Sequence, residues 1–264
     1  MSMQDWGNCK LCGEYRHLTF EHVPPKSSFN NTRVHVVKGN DALQSMTDGR
    51  APWDLSGIHY RNQQKGKGGY YLCEDCNNKT GSWYANEYVR FIQSIWNKIC
   101  SEDLSQTNVI EFNFDGFYPL KLFKEMMVMF CDINYFDDSN LRNYLLSQAS
   151  VSFDDSKYKV FLYLVSKDSL EKNNGVQVIC NIEKGTIIQV SEIISYPIGM
   201  SLYIDKPEDY HPVGCDFTPC SKVDYWKKGN LQFKLPILES NTLINADYRS
   251  KSEILQLIGE KNGK

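Results

Sequence analysis

The sequence has no long hydrophobic run. Its uninterrupted apolar stretches, such as Met126–Met129 and Phe161–Val165, are far shorter than the roughly 20 residues of a membrane-spanning helix. The N-terminus lacks the basic start and apolar core of a secretory signal, so we expect a cytoplasmic protein without a membrane partner. Internal repeats, low-complexity tracts and the phosphate loop of nucleotide hydrolases are also lacking, which excludes those classes.

Charge of one sign is scarce as well. In 264 residues, 29 Lys and Arg side chains stand against 32 Asp and Glu side chains, which leaves a net charge of −3. Residues 1–100 nevertheless hold 12 basic and 9 acidic side chains, whereas residues 101–264 hold 17 and 23. A mildly basic N-terminal part is compatible with a polyanionic partner, although this excess alone is weak evidence.

The length fits one large domain or two modest ones, and a change in composition favours two. Residues 1–100 contain few long periodic segments and suggest a small, loop-rich module that a metal would stabilise. Aromatic and aliphatic residues then recur every three or four positions up to Ile99, which predicts a helix capped by Thr80 or Ser82. We interpret this stripe as core rather than as a base-stacking surface. The polar stretch Ser101–Asn108 marks the expected boundary.

Residues 109–264 are predicted to form an α+β domain with a mainly antiparallel sheet. Turn signals at Asn173-Asn-Gly and Lys184-Gly separate some of its strands. In chain order, the expected elements are a strand at Ile110–Phe117, a helix starting at Pro119, a helix at Ser139–Gln148 begun by Asp138 or Ser139, strands at Lys159–Val165, Val176–Ile182, Thr186–Ile194 and Met200–Ile204, and a short helix within Ile254–Gly263.

Four of the nine cysteines form two CxxC pairs, Cys9-Lys-Leu-Cys12 and Cys73-Glu-Asp-Cys76, with 60 residues between them. Each pair can bind one tetrahedral zinc ion from a tight turn, to which Gly13 is suited. Four buried thiols or two disulfides are the alternatives, although disulfides are rare in the cytosol.

The other five cysteines have no such pairing. Cys100, Cys131 and Cys180 have apolar neighbours in the sequence and are expected to be small core residues. The segment His211–Cys220 offers only three soft ligands at loose spacing. We therefore favour buried thiols in a proline-stiffened loop over a second metal site.

Glu21 and His22 are adjacent, and Asn77 directly follows the last cysteine of the second pair. Carboxylate and amide oxygens suit a hard cation such as Mg²⁺, which takes one or two protein oxygens and fills its other positions with water and phosphate oxygens. A histidine, with its ordinary pKa near 6.5, can take a proton from an attacking water. These three residues are chemically sufficient for phosphodiester hydrolysis.

The combination resembles the HNH, or His-Me finger, nucleases, which share a ββα-metal fold. It is similar to the endonuclease VII-like members, in which two CxxC zinc pairs flank an acidic-His dyad and an asparagine follows the last cysteine. The resemblance covers about residues 8–90. It implies that His22 is the general base, that Glu21 and Asn77 bind a catalytic Mg²⁺ or Mn²⁺, and that a structural zinc is held by Cys9, Cys12, Cys73 and Cys76.

Two features depart from the family pattern. Many HNH enzymes carry a histidine where Asn77 stands, and Asn78 beside it is an alternative ligand. The connection from the dyad to the last zinc pair is also longer than usual and contains an insertion, Ser27–Tyr70, of unknown shape. Both differences concern metal affinity and substrate preference.

A basic, glycine-rich segment begins at Arg61 and includes Lys65 and Lys67. Its glycines permit close backbone approach and its cations could contact phosphates, so we interpret it as a strand-binding loop, with a solvated hairpin as the alternative. Lys26 and Lys79 lie a few residues from the proposed metal ligands and are further candidates for phosphate contact.

The leading hypothesis is a metal-dependent DNA endonuclease, regulated or assembled by its C-terminal domain, as in fusions found in bacterial defence against phage. That domain could bind a small molecule, a protein or a second copy of the chain. A zinc-stapled nucleic-acid-binding or scaffold protein is the alternative, and it would not need Glu21, His22 and Asn77. An RNase of the same fold is a third hypothesis.

Overall fold

Strands and helices alternate along the N-terminal part of the chain. The computed structural model describes residues 5–47, 50–101, 107–181 and 185–262. The N-terminal elements are β1 (Trp6–Asn8), β2 (Tyr15–His22), β3 (Val34–Val37), α1 (Gly39–Thr47), β4 (Tyr60–Gln63), β5 (Gly68–Cys73), α2 (Glu74–Thr80), a π-helical turn (Gly81–Ala85) and α3 (Asn86–Ser101).

Three of these strands form a small antiparallel sheet in the order β1-β2-β5. Strands β3 and β4 form a separate antiparallel pair. The insertion at residues 27–70, whose shape the sequence left open, therefore contains α1 and this two-stranded ribbon. It carries the chain away from the end of β2 and returns it as β5, next to the strand that it left.

The helical region begins earlier than the periodicity predicts. It starts at Glu74, directly after Cys73, and continues through the π-helical turn into α3. Glu74 and Asp75 occupy the first turn, where their negative charges interact favourably with the positive end of the helix dipole. Neither Thr80 nor Ser82 is a cap, so that prediction was wrong: Thr80 has helical dihedral angles and its hydroxyl bonds Cys76 O at 3.0 Å. The apolar spacing marked only the part of the helix that packs into the core.

The C-terminal part has the predicted α+β composition. Two helices and one strand precede a run of strands, and a helix ends the described chain. The elements are β6 (Val109–Phe117), α4 (Pro119–Ile133), α5 (Ser139–Leu146), β7 (Tyr158–Val165), β8 (Lys172–Asn181), β9 (Thr186–Ser195), β10 (Ile198–Ile204), β11 (Cys215–Asp216), a 3-10 turn (Thr218–Lys222), β12 (Gly229–Leu238) and α6 (Lys251–Asn262). Of the predicted positions, 102–106, Ile182, Lys184 and Gly263 lie outside the described residues.

The large sheet has the strand order β6-β12-β7-β10-β9-β8, and β11 also pairs with β7. Its pairs are antiparallel except that of β12 with β7. The expectation of a mixed α+β fold with a mainly antiparallel sheet is thus confirmed. The turn expected at Asn173-Asn-Gly is wrong, because these residues belong to β8, where the register shifts between Asn174 and Gln177. The Asn134 side chain accepts a hydrogen bond from Val176 N at 2.8 Å and stabilises this irregularity.

One cluster of buried side chains contains residues from both parts of the chain. The aromatic stripe of the first long helix belongs to it, as expected, with Tyr84, Tyr88 and Phe91 at most 1% exposed. Tyr84 also donates to Leu145 O at 2.9 Å. The division into domains 1–100 and 109–264 stays a prediction, and in this structure the two parts pack against each other.

Two of the three cysteines expected in the core are at the surface. Cys131 is buried, but Cys100 and Cys180 are exposed. Cys180 lies in β8, which ends the order of the large sheet and has one face open to solvent. Apolar neighbours in the sequence do not fix which face of a strand or helix a residue occupies. None of the described helices has the length and apolar character that crossing a membrane requires.

Candidate functional site

The two CxxC pairs lie side by side because each ends a strand of the small sheet. The first occupies the turn between β1 and β2, where Gly13 has φ +77° and its N–H donates to Cys9 O at 2.8 Å. Glycine adopts this left-handed conformation without steric cost. The second pair spans the junction of β5 and α2, and Cys73 N–H donates to Cys9 Sγ at 3.3 Å.

The four cysteines, here called the cysteine cluster, are Cys9, Cys12, Cys73 and Cys76, and their Sγ atoms lie within 4.8 Å of one another. Zinc–sulfur bonds of about 2.3 Å place two tetrahedral ligands roughly 3.8 Å apart. The Sγ atoms of Cys12 and Cys73 are 3.9 Å apart. None of the four forms a disulfide. The cluster can therefore hold a metal ion such as zinc.

Electrostatics within the cysteine cluster disfavour four thiolates in the absence of a cation. A hydrogen bond from Cys76, together with backbone N–H groups, lowers the pKa of Cys9 to about 4. Donating that bond, and burial, raise the pKa of Cys76, and burial raises the pKa of Cys12 to about 11. Removing the protons of Cys12 and Cys76 is therefore unfavourable unless a positive ion lies among the sulfur atoms.

The strand pair β2–β5 and helix α2 place the other predicted site residues. His22 ends β2 and pairs with Gly68, and Glu21 pairs with Gly69. The backbone of Gly68 lies so close to β2 that a Cβ atom on residue 68 would collide with the carbonyl oxygen of Glu21. A side chain at this position would push the two strands apart.

Asn77 lies against β2, whereas Asn78 is exposed. The Asn77 Nδ2 donates to Thr19 Oγ1 at 2.9 Å. Thr19 lies two positions before Glu21 in β2, and the register with β5 shifts between Thr19 and Phe20. Asn77 therefore contacts β2 close to Glu21 along the strand, and its amide oxygen takes no part in the bond to Thr19.

His22 contacts the glycine-rich segment through one ring nitrogen. Its Nε2 is 2.8 Å from Lys65 O. A carbonyl oxygen only accepts hydrogen bonds, so Nε2 carries the proton and Nδ1 presents its lone pair. Burial lowers the pKa of His22; the hydrogen bond to Lys65 O opposes this shift, and the charges of Lys26 and Lys65 add to it. The imidazole is accordingly neutral at pH 7.

Glu21 is half-buried. Burial raises its pKa to about 7, opposed only by a hydrogen bond from the His22 backbone. No ion pair of Glu21 with a basic side chain is present in the parts of the chain that the structure describes. A carboxylate in such surroundings gains more than a solvated one from a nearby cation, because its charge is poorly hydrated.

The predicted phosphate-contact residues fall into two groups. Lys26, Arg61, Lys65 and Lys79 are exposed. Lys67 instead points into the protein, where its Nζ lies 2.9 Å from Glu171 Oε2 and donates to Ile194 O at 3.2 Å. Its ammonium group thus joins the N-terminal part to the large sheet.

Sequence reasoning missed two acidic residues of α4. Glu125 and Asp132 are 5% and 1% exposed, and both interact electrostatically with Glu21. A signal was present: they are the only acidic residues of a mainly apolar helix, seven positions apart and so on one face. Without the tertiary structure, nothing linked that face to β2.

Elsewhere in the described ranges, no other group of three or more His, Cys, Asp or Glu ligand atoms converges within 4.8 Å. The segment His211–Cys220 thus provides no second cluster. Cys215 and Cys220 are partly buried, and burial raises the pKa of both thiols. Comparisons with family models, curated proteins and solved structures found no match to this chain.

Proposed function

We propose that the chain is a metal-dependent DNA endonuclease of the HNH type, with Glu21, His22 and Asn77 in its active site. The observation that carries the proposal is the order of elements around these residues. Strand β2 ends at His22, β5 pairs with β2, and α2 starts between the two cysteines of the second pair and sets Asn77 against β2. The resemblance to the ββα-metal nucleases implies this order.

His22 is proposed to remove a proton from the attacking water. The bond from Nε2 to Lys65 O fixes the ring and leaves Nδ1 as the basic atom. The lowered pKa of His22 keeps it unprotonated at neutral pH, as a general base requires. The carbonyl that orients it belongs to the glycine-rich segment, so this segment is proposed to position the base as well as the substrate.

Glu21 and Asn77 are proposed to hold the catalytic Mg²⁺ or Mn²⁺ through one carboxylate oxygen and the amide oxygen. Both are hard donors, and two protein ligands are typical of Mg²⁺ sites. A cation bound there would stabilise charge on a phosphate oxygen and on the leaving 3′ oxygen. The exposed cations of Lys26, Lys65 and Lys79 would attract the phosphate backbone.

The cysteine cluster is proposed to hold a structural zinc. It ties the β1–β2 turn to the β5–α2 junction, which are 60 residues apart in sequence. Because Asn77 directly follows Cys76, fixing that cysteine also fixes the start of the helix that carries Asn77. The zinc would therefore affect catalysis only by fixing the position of Asn77.

The C-terminal part is proposed to regulate the nuclease, in the manner of a cytoplasmic effector of anti-phage defence. Three side-chain contacts with the N-terminal part support a regulatory role. They are the Lys67–Glu171 ion pair, the hydrogen bond from Asn173 Nδ2 to Val23 O at 2.8 Å, and that from Tyr225 OH to Trp83 O at 3.2 Å. The Asn173 contact lies one residue beyond His22.

A plasmid-nicking assay tests the activity. Zinc-loaded protein is incubated with supercoiled DNA, and separately with single-stranded RNA, in Mg²⁺ or Mn²⁺. We expect nicked DNA with the wild type and a loss of at least about a hundredfold in rate for His22→Ala, since a general base contributes that much or more. His211→Ala, at a distant histidine, is the control and is expected to cut normally.

Unchanged nicking by His22→Ala would contradict the proposal. So would inactivity of the wild type in both metals, in the presence of a cell extract that could supply an activator. Cleavage of RNA alone would replace DNA with RNA as the substrate. Because the His22 imidazole packs edge-on against Phe20, circular dichroism of each variant verifies that the fold is intact.

A further inference from the structure

Helix α4 carries two carboxyl groups, those of Glu125 and Asp132, that are buried in the core. Glu125 Oε2 and Asp132 Oδ1 are inaccessible to solvent, and neither atom has a hydrogen-bond partner among the described residues. The other buried residues of this helix are apolar except Lys124, whose Nζ donates to Tyr144 O at 2.9 Å and to Ser147 O at 2.7 Å. Burial of an ionised carboxylate without a partner is among the most unfavourable arrangements in a protein.

Other buried acids of this chain do have partners. Glu192 pairs with Lys172 at 2.7 Å and accepts a hydrogen bond from Tyr248 OH at 2.8 Å. Glu87 pairs with Arg90 at 3.0 Å and accepts from Tyr118 N at 2.7 Å. Among the described residues, neither acid of α4 forms an ion pair. The contrast shows that a missing partner is not a general property of acids in this core.

The unpartnered acids lie where α4 meets the small sheet. Helix α4 packs against β5, the neighbour of β2. Burial raises the pKa of Glu125 and Asp132 well above the ordinary range, and repulsion from Glu21 adds to both shifts. Asp132 also interacts electrostatically with Tyr71 of β5. The two acids of α4 are thus buried beside β5 and close enough to Glu21 of the neighbouring strand to interact with it electrostatically.

We propose that Glu125 is a further ligand of the divalent cation at Glu21 and Asn77, so that α4 completes a metal site begun by the N-terminal strands. This inference rests on the proposed function for the place of the site and adds a ligand to it. The carboxylates of Glu21, Glu125 and Asp132 do not all converge within 4.8 Å. Asp132, which unlike Glu125 also interacts electrostatically with Cys9 and Lys10, is assigned a contact through a metal-bound water, which Mg²⁺ and Mn²⁺ commonly retain.

A cation at this position accounts for the unpartnered oxygens. It would supply a positive charge beside the three acids. Their carboxylate oxygens are hard donors, which Mg²⁺ and Mn²⁺ prefer to the soft thiolates of the cysteine cluster. It also gives the C-terminal part a direct role: a shift of α4 relative to β2 would separate Glu125 from Glu21 and weaken the site.

A titration of zinc-loaded protein with Mn²⁺ tests the inference. Electron paramagnetic resonance measures the bound Mn²⁺, and DNA is left out. We expect Glu125→Gln to weaken Mn²⁺ binding by about tenfold or more, as loss of a metal-supporting group typically does. Asp132→Asn should have a smaller effect. Glu111→Gln is the matched control, because that carboxylate is exposed and 3.7 Å from Lys234; it should bind like the wild type.

Thermal unfolding of the same variants shows whether they fold. Without Mn²⁺, Glu125→Gln should be at least as stable as the wild type, because the amide replaces a buried carboxyl group that has no basic partner and is held protonated by its surroundings. The rise in Tm on adding Mn²⁺ should be largely lost. Equal Mn²⁺ affinity and an equal rise in Tm for Glu125→Gln and wild type would overturn the inference.

A measurement on the wild type avoids dependence on any variant. Fe²⁺ bound in place of Mn²⁺ reduces added hydrogen peroxide to hydroxide and a hydroxyl radical, becoming Fe³⁺, and the radical cuts the backbone near the ion; ascorbate returns the iron to Fe²⁺. Cuts near Glu21, Asn77 and Glu125 support the inference, whereas cuts near Glu21 and Asn77 alone, or no bound ion at all, overturn it. Mn²⁺ binding that depends on Glu125, without any DNA or RNA cleavage, would refute the proposed function and leave this site in place.

Discussion

At the scale of single residues, backbone contacts decide what several side chains can do. His22 could have presented either ring nitrogen, and Lys65 O selects Nδ1 by accepting from Nε2. Asn77 and Asn78 are identical side chains one position apart, and only Asn77 reaches Thr19. In both cases the residue type was visible in the sequence, and its orientation was not.

Replacement of one sulfur in the cysteine cluster tests the zinc proposal. We expect Cys76→Ser to lose bound zinc and to lower the Tm markedly, because the metal closes a connection of 60 residues and its binding energy contributes to folding. Zinc content by atomic emission and thermal unfolding measure the two effects.

The exposed thiol of Cys180 provides the control. Cys180→Ser should keep one zinc per chain and the wild-type Tm. A Cys76→Ser protein that retained both its zinc and its stability would show that the cysteine cluster is not the metal site.

At the scale of elements, charged and capping residues predicted where helices begin better than apolar periodicity did. The helix that the sequence placed from Thr80 begins at Glu74, where two acidic residues favour its start. By contrast, α5 begins where its cap predicts: Asp138 Oδ1 accepts from Leu141 N at 3.0 Å. A capping side chain marks a boundary directly, whereas periodicity marks only the face that packs.

Asp138 makes the stability of α5 dependent on pH. Burial alone would raise its pKa, but Leu141 N–H, Lys157 and Tyr158 lower it to about 2. A carboxyl group with a lowered pKa stabilises the folded state above its unfolded pKa of about 3.9, and that contribution is lost as pH falls through about 2. Stability measured by urea unfolding should show this loss.

Two substitutions separate the cap from the charge. Asp138→Ala should lose about 0.5–2 kcal/mol at pH 7 through the missing cap. Asp138→Asn keeps a cap acceptor but not the ion pair with Lys157, so its stability deficit should shrink as pH falls from 4 towards about 2. A deficit that is constant with pH would contradict the assigned cause.

At the scale of the whole molecule, the two parts share one core. Buried residues of the N-terminal helices and of α4 belong to one cluster, and Lys67 binds Glu171 across the same junction. A shared core of this kind favours cooperative unfolding.

We therefore expect a single unfolding transition for zinc-loaded protein. Tryptophan fluorescence reports mainly on the N-terminal part, which holds four of the five tryptophans, and far-ultraviolet circular dichroism reports on both parts. The two curves should coincide, and zinc chelation should move them together. Two separated transitions would show that the parts fold independently.

The sequence alone determined the chemistry of the cysteine cluster, the α+β class, the first strand and helices of the C-terminal part, and the buried aromatic face of α3. Each of these depends on local spacing or on residue type, which the chain carries in full. The turn at Asn173, the exposure of Cys100 and Cys180, and the start of α2 were predicted wrongly, because pairing and packing with distant segments decide them.

Only the tertiary structure brought α4 to β5, the strand that pairs with β2. Glu21 and Glu125 are about a hundred positions apart, and no spacing rule links a strand end to the face of a distant helix. Their proximity follows from the packing of the small sheet against the C-terminal helices. The sequence determined which groups could bind a cation, and the fold decided which of them share a space.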